Sequence, residues 1–408
     1  MKARYFFYPF LFLFSVAMFA SCSLSVPKER DIIEDSAFRS VDLRIIEKTK
    51  GTVMSLGDLM ESYEIIRLDN RDEALIKTYP YGVYVTDNYI LLRPADVVSP
   101  VKLFTRKGRY VADIGGVGQG PGEYLYLFSW LVDEKENRIY LGPGRTDKVL
   151  VYDLKGNYLP DEVIRFGEIV HKSQIWVDYD KKNVVVVTLP FSANVNSNFA
   201  ISKNVCWVQN REGDIVHRIP VNHYGLIGDY SNALVARRNV DAISFSISEV
   251  PMLRTRPDTL YHYDAVKNII TPCFTIDHVV SENQSACTVL YETSRSYWAQ
   301  VTLYPNNLSS SVSSVRLPAF NVCVSKKDGN VRRIDRFTDP LLGLSHLFLM
   351  MNNGYICISY DPLELMDALD KVLTQTDLES DVRKRATDLR NSLYENDNDI
   401  LIIGKLKQ

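Results

Sequence analysis

Cysteine is scarce in this sequence, six in 408 residues. Five of them, Cys206, Cys273, Cys287, Cys323 and Cys357, are widely spaced and mostly sit beside Val, Ile or Trp in strand-like runs. An odd, scattered set excludes a disulfide framework, and the lack of any Cys-x-x-Cys pair argues against structural zinc. They read as small buried hydrophobes, with one bridge, for example Cys273–Cys287, left open in an oxidising compartment. An excess of one charge is also missing. Lys plus Arg number 47 against 50 Asp plus Glu, a net charge of -3, and the basic residues are dispersed, so nucleic acid is not an expected partner. The histidines His171, His217, His223, His262, His278 and His346 form no His-Glu-x-x-His helix. No Gly-x-Ser-x-Gly elbow occurs either. No catalytic, cofactor-binding or metal-binding residue is assigned, and an enzyme is the less expected reading.

Long hydrophobic runs are confined to the N-terminus. Lys2 and Arg4 precede an apolar run, Tyr5 to Ala20, broken by Pro9 and Ser15, and small residues Ala20 and Ser21 lead to Cys22. That order of charge, apolar core and small residues is a secretory signal, shorter than the roughly 20 residues of a membrane span. Phe19-Ala20-Ser21-Cys22 resembles the bacterial lipobox, in which signal peptidase cuts before a cysteine that becomes diacylated. The resemblance implies a signal peptide over 1–21 and a lipid on Cys22. Ser23 to Asp35 has Pro27, mixed charge and few apolar residues, so 22–40 reads as a tether. The expected location is the cell envelope, lipid-anchored at the outer membrane, with either face open.

Between Glu64 and Asp361 the pattern is almost wholly β, with short Val/Ile/Tyr/Phe runs parted by Gly, Asn and Asp turns. A loose repeat of about 50 residues runs through it. Its clearest part is a hairpin turning on a charged residue and glycine, at Lys107-Gly108, Lys155-Gly156, Glu212-Gly213 and Asp328-Gly329. A degenerate copy over 260–270 has Ala265-Val266-Lys267 where glycine is expected. Upstream of each lies another strand pair, such as Val83–Val85 with Tyr89–Leu92, or Trp130–Val132 with Arg138–Leu141. Two hairpins per unit make a four-stranded propeller blade, and counting Phe348–Met350 with Tyr355–Ile358 gives six.

The sixth unit lacks its glycine hairpin and turns helical instead. Asp361-Pro362 with Glu364 forms a capping box, and Leu365, Leu369, Val372 and Leu373 share a face. Thr376 with Glu379 reads as a second box, so 362–394 is expected to be a helical hairpin insertion. The final strand, Ile400 to Leu406, with Val41–Ile46 or Glu64–Leu68, is expected to close the last blade. The domain is thus 41–408, an all-β six-bladed β-propeller closed by its terminal strand.

The stretch Ile114-Gly115-Gly116-Val117-Gly118-Gln119-Gly120-Pro121-Gly122-Glu123-Tyr124 resembles a signature of six-bladed propeller lipoproteins of gut anaerobes, related to NHL and TolB-like propellers. Ser55–Leu59, Tyr63–Leu68 and the tail Asn398–Lys407 are similar to the same family. The resemblance implies fold and location and transfers no catalytic residue. The stretch is not a phosphate loop, since no Lys occurs between Arg109 and Lys135. Gly118, Gly120, Pro121, Gly122 and Glu123 read as a sharp structural loop between blades, with Glu123 tying down backbone amides. Asp229, Asp241 and Asp258 are acids available to a funnel, but spacing pairs none of them. Tyr79-Pro80-Tyr81, Tyr224 and Tyr230 suit either a sugar-binding surface or packing between blades. Two function classes follow: a tethered module binding a glycan, peptide or envelope protein, and a hydrolase or lyase acting on an extracellular polymer at the propeller funnel.

Overall fold

The computed structural model describes residues 38–407 except 97, 179–181, 194–202, 228–232, 238–241, 250–256, 278–283 and 306–316. The expected signal peptide, Cys22 and most of the tether lie outside the described residues, as do Asp229, Tyr230, Asp241 and His278.

Six small sheets form a ring, each with four antiparallel strands ordered from axis to rim. Blade 1 is Pro80–Val85, Tyr89–Pro94, Val101–Thr105 and Tyr110–Ile114. The innermost strands of blades 2 to 6 are Leu127–Asp133, Gln174–Asp178, Ala233–Arg237, Gln284–Glu292 and Met350–Asn352. Both faces of every blade meet a neighbour, so the inner strands carry runs such as Val184–Val187 that are apolar on both sides. The outer turns explain the glycines. Gly108 sits at φ +79°, and a Cβ there would overlap the Arg67 carbonyl of the adjoining blade. In the degenerate copy Asn268 takes the left-handed position at φ +55°, the substitute best suited to it.

Blade 2 departs from the expected hairpin. After Gly156 only Tyr152 and Tyr158 bridge, and the outer strand is Ile164–His171. Pro160 has no N–H for the ladder and opens a 3-10 turn, Pro160–Glu162. Arg138 pins that turn by two hydrogen bonds to Glu162, at 2.5 and 2.6 Å.

The chain start straps the rim. Arg39–Asp42 adds in parallel to the outer strand of blade 4, and Thr52–Ser55 to that of blade 5. Glu64–Arg67 then supplies the outer strand of blade 6, pairing with Ile400–Lys405. Of the two expected closing segments, Glu64–Leu68 is therefore the one used. Val41–Ile46 is not a strand throughout, because the Asp42 carboxylate accepts from the Arg44 N–H at 2.9 Å and caps a helix, Leu43–Lys48. At the closing seam Tyr84 donates to Asn353 at 3.0 Å, and the Asn353 amide returns a bond to the Val85 carbonyl at 2.7 Å.

The helices Pro362–Leu373 and Ser380–Asn391 pack Leu365, Leu369, Val372 and Ala386 against Ile400 and Ile402. Asp361 caps the first through the Leu363 N–H at 3.0 Å. Thr376 does not cap the second, which starts at Ser380 after Glu379. Arg383 donates to the Leu373 and Gln375 carbonyls, holding the link non-helical. None of the five described cysteines forms a disulfide, so Cys273 and Cys287 are not bridged.

Candidate functional site

At the end of the ring where the innermost strands finish, a funnel of about 600 Å³ opens on the axis. Tyr84, Asp133, Trp176, Arg237, Glu292 and Asn353 line it, one from each blade in turn. Each is carried at or near the end of an innermost strand, so the ring geometry alone brings together residues far apart in sequence.

The acids in this funnel already have protein partners. Both oxygens of Glu134 accept from Asn88, at 2.8 and 2.6 Å. Asp87 accepts from the Tyr355 hydroxyl at 2.5 Å, and Asp133 from the Glu136 N–H at 3.1 Å. Glu292 has a fully buried side chain and receives Ser244 at 2.5 Å, His262 at 2.9 Å and Lys326 at 2.7 Å. Burial works to raise its carboxyl, but the bond and charge of His262, then Lys326 and Ser244, overcome this and hold it at about 2. Contact with Cys273 and the bond to Glu292 raise the His262 imidazolium to about 9, against burial. Ser244 donates to the carboxylate rather than to the imidazole, so the three are an ion cluster between blades 4 and 5 and not a nucleophilic relay.

The donors are less committed. Arg237 lies over the Trp176 ring at 5.2 Å and reaches only the Ile175 carbonyl, at 3.4 Å, with no ion pair among the described residues. The Trp176 indole N–H is buried and has no acceptor. A hydrolase using two carboxyl groups needs one raised to act as acid and one free as base or nucleophile. Glu292 is held low and the other acids accept protein hydrogen bonds, whereas the Arg237 guanidinium remains to receive a ligand oxygen.

The residues singled out in sequence lie elsewhere. The glycine-rich loop is at the opposite end of the ring, between blades 1 and 2. Gly115 and Gly122 have φ of +66° and +74°, whereas Gly118 and Gly120 do not take the left-handed region. Glu123 accepts the Gly120 N–H at 2.7 Å, and the Tyr152 hydroxyl donates to the Gly122 carbonyl at 2.7 Å. A Cβ on Gly122 would stand 2.8 Å from the Tyr158 ring. Gly122→Ala is therefore expected to cost about 1–2 kcal/mol from backbone strain alone and to lower the melting temperature, while Glu123→Gln loses only the charge on an exposed bond. A Gly122→Ala protein melting at the wild-type temperature would contradict the structural reading of this loop. Asp258 is not in the funnel; its buried carboxylate accepts from Thr288 at 2.7 Å. Tyr224 packs on Tyr261, and Tyr81 on Trp130. Sequence reasoning did not single out Glu292, His262, Trp176 or Arg237 as site residues. The partners of Glu292 lie 30, 34 and 48 residues away, about one blade, a spacing that no local motif records.

The model of the family described as a domain of unknown function, DUF4934, matches residues 40–405. No curated protein matches the sequence. Among solved structures, a protein of Bacteroides fragilis named as exported is 15% identical, with a TM-score of 0.57, covering 90% of this chain and 99% of that one. A member of the DUF4221 family from Bacteroides vulgatus is 9% identical at a TM-score of 0.42, covering 86% and 97%. The GH74 enzyme of Niastella koreensis is 11% identical at a TM-score of 0.36, covering 65% and 40%. The first is a likeness of fold, and the other two are too distant to carry an argument.

Proposed function

The chain belongs to the DUF4934 family, and on that premise we propose that it is an envelope-associated binding or scaffold module, lipid-tethered through Cys22. Its funnel would receive a glycan, peptide or envelope protein. The observation that carries this reading is the division of labour in the funnel: acids engaged by the protein, and an Arg237 guanidinium that meets only the Ile175 carbonyl among the described residues. A tether fits the signal-like residues 1–21 before Cys22, and export fits the name of the structurally similar Bacteroides fragilis protein. The hydrolase or lyase reading finds no support in the carboxylates, because those described in the funnel accept protein hydrogen bonds.

Two measurements test this. Cys22→Ala should abolish incorporation of labelled lipid and move the protein from membrane to soluble fractions; unchanged labelling would refute the tether. For the funnel, the full chain is titrated with a panel of extracellular polysaccharide fragments and short peptides. At least one ligand should bind without being cleaved, and Arg237→Ala should weaken it about tenfold, as loss of a charge-assisted hydrogen bond does, with the melting temperature held. Release of new chain ends from a polymer by the wild-type protein would replace the binding reading with an enzymatic one.

A further inference from the structure

At the end of the ring away from the funnel, where Pro80–Val85 and Leu127–Asp133 begin and Tyr89–Pro94 finishes, Arg93 lies between blades 1 and 2. Its guanidinium carbon is 4.3 Å from the centroid of the Tyr81 ring and 5.6 Å from that of Trp130. The two rings meet edge to face at 6.0 Å. Gly82 makes this arrangement possible, since a Cβ there would overlap the Trp130 ring.

Cation–π attraction holds the guanidinium in place but satisfies none of its N–H groups. Arg93 Nη1 and Trp130 Nε1 are both shielded from solvent, and neither meets an acceptor. Asp96 is close enough to act on Arg93 through its charge, yet forms no ion pair with it among the described residues. Its carboxylate instead accepts from Val98 N–H at 2.9 Å, Ser99 N–H at 2.5 Å and Thr78 hydroxyl at 3.1 Å. Burial holds the Arg93 guanidinium below its ordinary value. A partly desolvated cation without a counter-ion is costly, and the fold gains no hydrogen bond from these two donors. Arg93 is only partly buried, so a ligand can approach it. Tyr79 and Tyr126, 49% and 51% exposed, lead into the same two innermost strands at this end. Their faces suit the apolar side of a sugar ring.

We propose that this end of the ring holds a second binding site, separate from the funnel, that takes the carboxylate of an acidic sugar. The N–H groups that Arg93 leaves unshielded receive the carboxylate oxygens, the Trp130 ring supports the guanidinium from within, and the flanking tyrosines pack on the sugar. A planar fork above aromatic rings suits a planar carboxylate better than a lysine ammonium would.

The full chain is titrated calorimetrically with trigalacturonate, with neutral maltotriose, and with sodium acetate at the same carboxylate concentration. Trigalacturonate should bind, and maltotriose should not. Arg93→Met should weaken binding about tenfold or more. Arg93→Lys keeps the charge but not the planar fork, and it should weaken binding several-fold; this variant carries the test if Arg93→Met does not fold. Undiminished binding in the folded variants overturns the proposal, as does no binding of trigalacturonate at all. Acetate binding as tightly as trigalacturonate would mean an adventitious small anion only. Loss of trigalacturonate binding on Arg237→Ala, with Arg93→Met unaffected, would put the carboxylate in the funnel and also overturn it.

Discussion

Deleting residues 399–408 is expected to abolish cooperative unfolding of this protein, or to lower its melting temperature too far for stable purification. Ile400–Lys405 is the third strand of blade 6, paired on one side with Tyr355–Tyr360 and on the other with Glu64–Arg67. Ile400, Leu401, Ile402 and Ile403 are each 1% exposed or less. Losing four such side chains forfeits about 1.5–3 kcal/mol apiece, comparable with the whole 5–15 kcal/mol by which a typical domain is stable. The deletion also strands Glu64–Arg67, removes apolar cover from the helical hairpin and opens the ring beside blade 1. Circular dichroism melting curves of the full and truncated chains decide the matter. A truncated protein that melts cooperatively within a few degrees of the full chain would show that the last strand is appended rather than closing.

That closure was legible because the sixth unit has one hairpin too few, and a sheet missing a strand must find it elsewhere in the chain. The blades were legible for a similar reason, since period-two apolar runs and turn residues are local signals. The rim strands were not. Arg39–Asp42 and Thr52–Ser55 are four residues each and pair in parallel with partners more than 200 positions away, with no hairpin of their own to announce them. The false start at Thr376 has another origin: a box pattern is satisfied there, but Arg383 takes the carbonyls of the link. The funnel was illegible for the reason that makes it possible. A ring gathers one residue from each blade, and the sequence holds these about 50 positions apart, each looking like an ordinary strand end. By local pattern Asp133, whose carboxylate accepts from the Glu136 N–H, and Glu292 are alike, since nothing beside either one in sequence records the partners it meets.

Replacing Glu292 with alanine is expected to cost about 3–5 kcal/mol, the range for breaking a buried ion pair from one side. Its side chain has no solvent exposure and is the shared acceptor of Ser244, His262 and Lys326. Without it the Lys326 ammonium and the His262 ring lose their shared partner across the boundary of blades 4 and 5, and the Ser244 hydroxyl loses its acceptor. Glu292→Gln keeps the shape and one carbonyl oxygen but not the charge, so it should fall between wild type and alanine. The pH dependence separates this account from simple loss of packing. The Glu292 carboxyl is lowered from 4.5 to about 2 on folding, so its contribution is full above about pH 4.5 and fades as pH falls towards 2. His262 is raised from 6.5 to about 9, so its contribution is full below about pH 6.5 and fades as pH rises through 9. The wild-type melting temperature should therefore decline between about pH 6.5 and 9 in part through His262, and Glu292→Ala should lessen that part of the decline, leaving what the Cys273 contact supplies. Melting curves across pH 5–9 read both effects at once. An alanine variant that melts near the wild-type temperature, with the alkaline decline intact, would show that the cluster contributes nothing to holding blades 4 and 5 together.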